Sequence, residues 1–428
     1  MSNKRGSSVL LLAMIFTAFA MVILSSILIA REWTVKSECE AFGRVFAKAI
    51  LSEYDKHLLQ DYGILGYQGN DAAVEEKIRQ YMAYSMKGKL RVRDLDAEAG
   101  LGGYELSDPA NFRKAMKDGF GGSLAEALVH GGTRHARGKE EVLPERSITN
   151  PVVLDTLPSG HTSASVDAGA LSEKLKSGNL FDAVTDTGSS AAVELAFIRT
   201  YFSSHTMKAG SLESYFPHEL EYIVRGSADD QTNYKSCRRK IFLIRNAMNL
   251  ISVYKDPEKV EVVSAVAELI TPGPLALVTQ GVLMEAWAAL ESENDVQTLV
   301  RGGRVPLIKT PAQWQTGLRA VLDSKEVRQK LDEEAEALLR ENEGEILKDA
   351  EGFDAGKEIA EGQTYEDYLM VMILTMNSNT RLRRIMDLVQ INMKYRYYEE
   401  FSLEEYYTGV RFSMHVDQNS YEFEDHYR

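Results

Sequence analysis

The chain has 428 residues, 44% hydrophobic and 26% charged, the proportions of a protein that folds around a real core. Its formal net charge is −14 and its Lys and Arg residues form no extended run, which excludes phosphate-backbone binding as a main task, so nucleic acid is not an expected partner. Two cysteines, Cys39 and Cys237, are too few for a disulfide scaffold, and no Cys-x-x-Cys or Cys/His spacing marks a zinc site. Sequence separation leaves open whether the two cysteines pair.

Residues 1–6 form a short tail carrying Lys4 and Arg5, and the next 24 residues, Ser7 to Ala30, carry no charge. At about 1.5 Å per residue this segment crosses a hydrocarbon layer of ~30 Å as one helix. Lys4, Arg5 and the free amine lie on one side, whereas Arg31, Glu32, Lys36 and Glu38 roughly cancel on the other. The positive-inside rule then puts the N-terminus in the cytoplasm and the remainder outside. A cleaved secretory leader is the alternative, but Leu28 and Ile29 before Ala30 make a poor cleavage site, and no cysteine stands where lipidation needs one. The lipid bilayer is therefore the first expected partner.

Beyond Arg31 the spacing of Val35, Cys39, Phe42, Phe46 and Ala49 predicts that the helix continues out of the membrane over 31–62 and ends near Tyr62-Gly63. The stripe lasts too few heptads for a coiled-coil seam and reads as packing against the outer domain. Helices follow over Asp71–Met86 and Pro109–Lys117, with extended pieces at Leu90–Leu95 and Tyr104–Leu106. Residues 119–188 are rich in Gly, Ser, Thr and Asp, and predict a surface loop or linker that is mobile in part.

A helix is predicted over Ala191–His205, and the β-branched and aromatic run Glu219–Arg225, bounded by Gly226, predicts a strand. Gln231–Tyr254 is an amphipathic helix with Ile241, Ile244, Met248 and Ile251 inward, stopped by Asp256-Pro257. The apolar stretch Val260–Leu290 is interrupted by Glu261, Glu268 and Glu285 and broken at Pro272-Gly273-Pro274, so it predicts two core helices rather than a second span. Val305–Ile308 reads as a short strand or turn, Trp314–Leu322 as the start of a helix, and the charge-dense Ser324–Ala350 as a solvated helix. Tyr365–Met376 and Thr380–Arg396 predict core helices, and the alternation of Val410, Phe412 and Met414 with Arg411, Ser413 and His415 predicts a strand over Tyr407–Val416. The fold class is α+β, predominantly helical: an N-terminal transmembrane helix continues into a large extracytoplasmic domain over 63–428 with a few short strands.

No GxSxG elbow, phosphate-loop, HExxH or strand-linked GxGxxG pattern is present. His130 and His135, with Glu140 and Glu141 nearby, are too loosely arranged to predict a metal site. Asp229-Asp230 reads as capping of the helix that follows, and Arg238-Arg239-Lys240 as its solvated face. The tyrosines at 395, 397, 398, 406 and 407 fit either core packing or a contact surface. No catalytic, cofactor-binding or metal-binding residue is assigned, and the expectation is a non-enzymatic protein. An ectoenzyme whose carboxylates meet only in the fold, or an extracellular sensor or adhesion module, stays open.

Taken together, several segments carry a resemblance: Lys4-Arg5-Gly6 before the apolar run, Ser52-Glu53-Tyr54-Asp55 through Tyr62-Gly63, Glu219-Leu220-Glu221-Tyr222-Ile223, and Arg238-Arg239 through Asn249. They continue with Val305-Pro306-Leu307-Ile308-Lys309-Thr310, Tyr365-Glu366-Asp367-Tyr368-Leu369 and Tyr407-Thr408-Gly409. The chain resembles a domain-of-unknown-function family of single-span membrane proteins associated with tight-adherence (Tad) pilus gene clusters in Gram-positive bacteria. Its N-terminus is similar to the TadE/TadG-like minor pilin and pseudopilin pattern. That resemblance implies a cut after Gly6 in processed members, which carry Glu five residues further on; here the position is Leu11, so this chain is expected to stay whole. It implies a role in surface-pilus assembly or anchoring, with Tad pilins or the assembly platform as partners, and supplies no catalytic residues.

Overall fold

The computed structural model describes residues 4–86, 92–120, 134–138, 143–147, 157–160, 190–330, 333–341 and 361–427. The region predicted as one domain over 63–428 divides into two compact units, one made of residues 1–121 with 397–428 and the other of 122–396. The first unit draws on both ends of the chain because a C-terminal hairpin pairs back onto an early strand.

In that unit α1 runs unbroken for 48 residues, Lys4–Leu51. Its C-terminal half buries Val35, Cys39, Phe46, Ala47 and Ile50 in a core shared with Val74, Ile78 and Met82 of α3 (Asp71–Met86). The predicted stripe thus packs against the protein's own domain. Strands β2 (Leu95–Ala99), β6 (Gly409–Val416) and β7 (Asn419–His426) form an antiparallel sheet in the order β2-β6-β7, and β6 turns Val410, Phe412, Met414 and Val416 into the same core. A short pair, β1 (Tyr67–Gln68) with β5 (Tyr406–Tyr407), stands beside it. Helix α1 approaches the sheet closely at Gly43, where a Cβ would lie 2.2 Å from the Phe423 ring.

The helix expected over 31–62 does not reach Tyr62 unbroken. It stops at Leu51, and a separate α2 (Lys56–Tyr62) begins after Asp55, whose carboxylate accepts from the His57 and Leu58 amides at 2.8 and 2.9 Å. A side chain that captures the free N–H groups of a new first turn competes with continuation of the old helix. Gly63, with φ 67°, terminates α2 as predicted. Helix α4 (Pro109–Phe120) matches its expectation, and Glu105 makes an isolated bridge to Tyr407. Part of the predicted Leu90–Leu95 piece lies outside the described residues.

Among its described residues the second unit is mostly helical. Its described elements are β3 (Arg134–Ala136), α5 (Ser190–Tyr201), β4 (Met207–Ala209), α6 (Glu219–Arg225), α7 (Asp230–Lys255), α8 (Pro257–Ile270) and α9 (Ala276–Val300). Beyond these lie α10 (Leu318–Leu322), α11 (Lys325–Lys330), α12 (Glu333–Glu341), α13 (Tyr365–Leu374) and α14 (Ser378–Arg396). Helices α8 and α9 are the expected pair on either side of Pro272-Gly273-Pro274, and they enclose Val263, Val266, Ile270, Leu283 and Trp287. The Trp287 indole N–H donates to the Thr316 carbonyl at 2.8 Å.

Four expectations are corrected in this unit. Glu219–Arg225 is helix α6, not a strand: every residue from Glu219 to Val224 is buried, so the apolar run reflects burial on all sides rather than a two-faced sheet position. The helix predicted to reach His205 ends at Tyr201, and the one placed at Trp314 starts at Leu318, after a 3₁₀ turn over Pro311–Gln313. The charged segment is helical where it is described, over α11 and α12, and its remainder lies outside the described residues. Within the predicted loop 119–188, β3 pairs with β4, and residues 157–160 are pinned to α14: Ser159 N–H donates to Asp387 at 2.9 Å, and Pro158 C=O accepts from Arg383 at 2.8 Å. Most of that loop lies outside the described residues.

One group of buried charges in this unit is internally paired. Arg245 donates to Asp295 at 2.9 Å and to the Pro306 and Leu307 carbonyls at 2.8 and 2.9 Å, while Asn249 donates to Asp295 at 2.8 Å. Lys309 completes the group against Glu291 and Asp295. Two cations and two carboxylates cancel, the condition under which burial of charge is tolerated.

Candidate functional site

Two regions stand out, one in each unit. In the first, α1 presents an apolar surface that no described residue covers, with Leu12 and Phe16 exposed to 71% and 72%. It is the one helix among the described residues long and apolar enough to cross a membrane. Every large apolar side chain described between Val9 and Ile29 is exposed, yet one turn past Arg31 the same helix enters the core at Val35. Trp33 is exposed in between, where an amphipathic ring suits a membrane–water boundary. Arg31 pairs at 3.2 Å with Asp417, which turns the β6–β7 hairpin with φ 53° and accepts from the Arg93 and Asp94 amides at 3.0 and 3.3 Å. Asp and Asn tolerate this left-handed conformation better than most residues. These hydrogen bonds and the Arg31 guanidinium hold the Asp417 carboxyl below its usual range.

In the second unit the loop after α5 and the start of α7 bring together His205, His218 and Asp230. His218 Nδ1 lies 2.5 Å from Asp230, and its Nε2 lies 3.0 Å from His205 Nδ1. The two imidazoles stack on each other and on Tyr234, with His205 4.5 Å from the Tyr234 ring centroid. Burial, His218 and Arg137 push His205 down to about 4. Beneath it, Glu221 accepts from the His205 amide at 3.0 Å, and Glu219 accepts from Ser203 N–H at 2.7 Å, Asn392 at 2.7 Å and Ser214 at 3.0 Å. Burial raises both carboxyls.

His205 opens on a cleft of about 480 Å³ that also meets Arg137, Arg301, Arg304, Thr364 and Glu366. Arg137 is held by the Ser204 and Pro217 carbonyls at 3.0 and 3.1 Å, Arg304 donates to the Gly362 carbonyl at 3.3 Å, and Glu366 faces buried Arg134 at 3.4 Å. Among the described residues no group of three or more His, Cys, Asp or Glu converges as metal ligands would.

Residues singled out from the sequence are dispersed. His130 lies outside the described residues, and His135 is exposed on β3. Asp229 caps α7 as expected, accepting from Thr232 N–H at 2.8 Å, but Asp230 turns inward to His218. Arg238 pairs with Glu293 on the partly exposed side of α7. Cys39 and Cys237 are free, buried thiols, one in each unit, and burial with Glu38 and Glu40 pushes Cys39 up to about 11. Sequence reasoning missed the histidine pair because His205 and His218 sit in irregular chain, where no period reports which side chains meet.

A predominantly helical protein with a few short strands and one long, uncovered apolar helix is the class these features define. The chain belongs to a family of unknown function, DUF5702, whose model matches residues 142–418. No match was found among curated proteins or among solved structures.

Proposed function

We propose that the protein is anchored in a membrane by a single helix over residues 7–30, with its N-terminus cytoplasmic and both folded units outside. It acts there, without catalysis, as an accessory or pseudopilin-like component in the assembly or anchoring of a Tad-type pilus. The observation that carries the anchor is the continuity of α1: an apolar half with nothing over it runs directly into a half packed in the first unit's core. Burying bare aliphatic surface of this extent in acyl chains is favourable by about 25 cal/mol per Å², whereas leaving it in water is not. The pilus role draws its support from the segments named above that resemble Tad-associated proteins.

The test of this reading is a crosslinked pull-down of the tagged protein, at native level, from membranes of its own host, with partners identified by mass spectrometry. Pilins or the assembly platform are the expected partners. Recovery of the protein alone, or with unrelated wall enzymes, removes the pilus role. Orientation is checked separately, by protease added to intact cells, which should degrade both folded units and spare a tag placed before Lys4.

A further inference from the structure

The cleft in the second unit has a feature the anchoring role does not use: a buried hydrogen-bond chain that ends on His205, in a cleft also lined by the exposed Arg301 and Arg304. Asp230 is fully buried and its carboxylate accepts from the His218 main-chain N–H at 3.2 Å as well as lying against His218 Nδ1. A carboxylate has no proton to give, so His218 donates from Nδ1, and when neutral it offers only a lone pair at Nε2. His205 must then donate from Nδ1 across 3.0 Å, which leaves the lone pair of His205 on Nε2. With His218 neutral, the three linked groups leave His205 accepting a hydrogen bond at the cleft.

Around His205 stand Arg137 from the strand-β3 side, His218 and Glu221 from the segment at α6, Tyr234 from α7 and Tyr365 from α13, with Asp230 one link behind. Burial foremost, then His218 once it is protonated, and Arg137 oppose a positive charge on the ring. The exposed Arg301, which caps the C-terminal end of α9, and Arg304 supply positive charge to the same cleft. A ligand that suits both features carries negative oxygens for the guanidinium groups and one acidic O–H for the histidine. Sulfate and an ionised carboxylate have the charge but lack the hydrogen. Hydrogen phosphate has both at neutral pH, and a phosphate monoester, whose second pKa is near 6, has both in its monoanion.

We propose that this cleft is a phosphate site, with Arg301 and Arg304 meeting the anion and His205 Nε2 accepting the P–O–H hydrogen, and that the Asp230–His218–His205 chain makes it select protonated phosphate over sulfate.

The experiment is calorimetric titration of the full-length protein in zwitterionic-lipid nanodiscs with inorganic phosphate and, in parallel, with sulfate. Saturable phosphate binding is expected near neutral pH, with sulfate weaker by about tenfold or more, which corresponds to ~1.4 kcal/mol. In R301A/R304A both anions should weaken. In H205Q, whose amide can donate, the preference for phosphate should shrink or reverse, and circular dichroism must show that each variant keeps its fold. Acidification should raise sulfate affinity in the wild type, because a protonated His205 becomes a donor, and should leave H205Q unmoved. Displacement of phosphate by glycerol 3-phosphate supports a soluble monoester, and displacement by phosphatidic acid placed in the nanodisc assigns the same site to a lipid headgroup. Absence of saturable phosphate binding, equal affinity for sulfate, or an unchanged preference in a folded H205Q overturns the proposal.

Discussion

Arg31, the first charged residue after the apolar run, pairs with Asp417 at the tip of the β6–β7 hairpin, 386 positions later in the chain. The pair ties the point where α1 leaves its apolar segment to the far end of the sheet, so no flexible linker separates them. It is partly exposed, and an ion pair of this kind contributes at most about 1 kcal/mol by itself. Asp417 does more, because it also caps the Arg93 and Asp94 amides in a left-handed turn. Asp417→Ala is expected to destabilise the hairpin by about 1–2 kcal/mol, since it loses the acceptors and favours positive φ less. Asp417→Asn should cost less than half as much. Hydrogen exchange of the β6 and β7 amides measures both, and equal exchange in the two variants would rule out the capping role.

Gly43 is required by the closeness of α1 to Phe423. Gly43→Ala forces the ring aside and should cost about 1–3 kcal/mol despite its better helix propensity. Much of that cost should vanish in a Phe423→Ala background, where the space already exists. A double-mutant cycle on thermal unfolding reads the coupling, and additive effects would show that the contact does not matter.

Asp387 titrates within the protein's interior. It accepts from Ser159 N–H and Tyr222 O–H at 2.9 Å each, and burial raises it to about 6, above the ordinary 3.8. A carboxyl raised on folding binds its proton more tightly in the folded state. Its contribution is thus complete below about pH 4 and is lost as pH rises through about 6, by roughly 3 kcal/mol if the shift is fully expressed. Asp387→Asn should flatten this part of the stability–pH curve, as followed by urea unfolding at pH 4 to 7. An unchanged slope would mean that Asp387 ionises without cost.

Lys309→Met should be among the most damaging single changes. It leaves Glu291 and Asp295 buried with Arg245 as the remaining cation of the group. Breaking such a group from one side typically costs about 3–5 kcal/mol. Adding Glu291→Gln should recover part of the loss by restoring charge balance, with circular dichroism melts as the readout.

Ile15→Asp tests the anchor. Ile15 lies on the uncovered half of α1, and a carboxylate near a bilayer centre disfavours insertion by roughly 2.5–3.5 kcal/mol. The variant should shift from the membrane to the soluble or degraded fraction, whereas the same change at the exposed Val45 should leave fractionation alone.

Local rules were enough wherever one segment carried its own signal. The absence of charge from Ser7 to Ala30 announced the apolar helix, Pro272-Gly273-Pro274 separated α8 from α9, and the period of two in Val410, Phe412 and Met414 marked β6. Asp55 and Gly63 show the boundary of that power: the glycine stop was legible, but the carboxylate that ends one helix and starts another a few residues earlier was not, because Asp serves many turns. Only the tertiary structure decided that Glu219–Arg225 is helical, since burial on every side erases the periodicity that separates helix from strand. It also decided that Asp229 caps a helix while its neighbour Asp230 goes inside to His218, and that His205 ends that chain at a cleft. Composition and period report a segment's exposure along its own axis; which buried charges meet is set by contacts between residues far apart in the chain, and no local pattern encodes those distances.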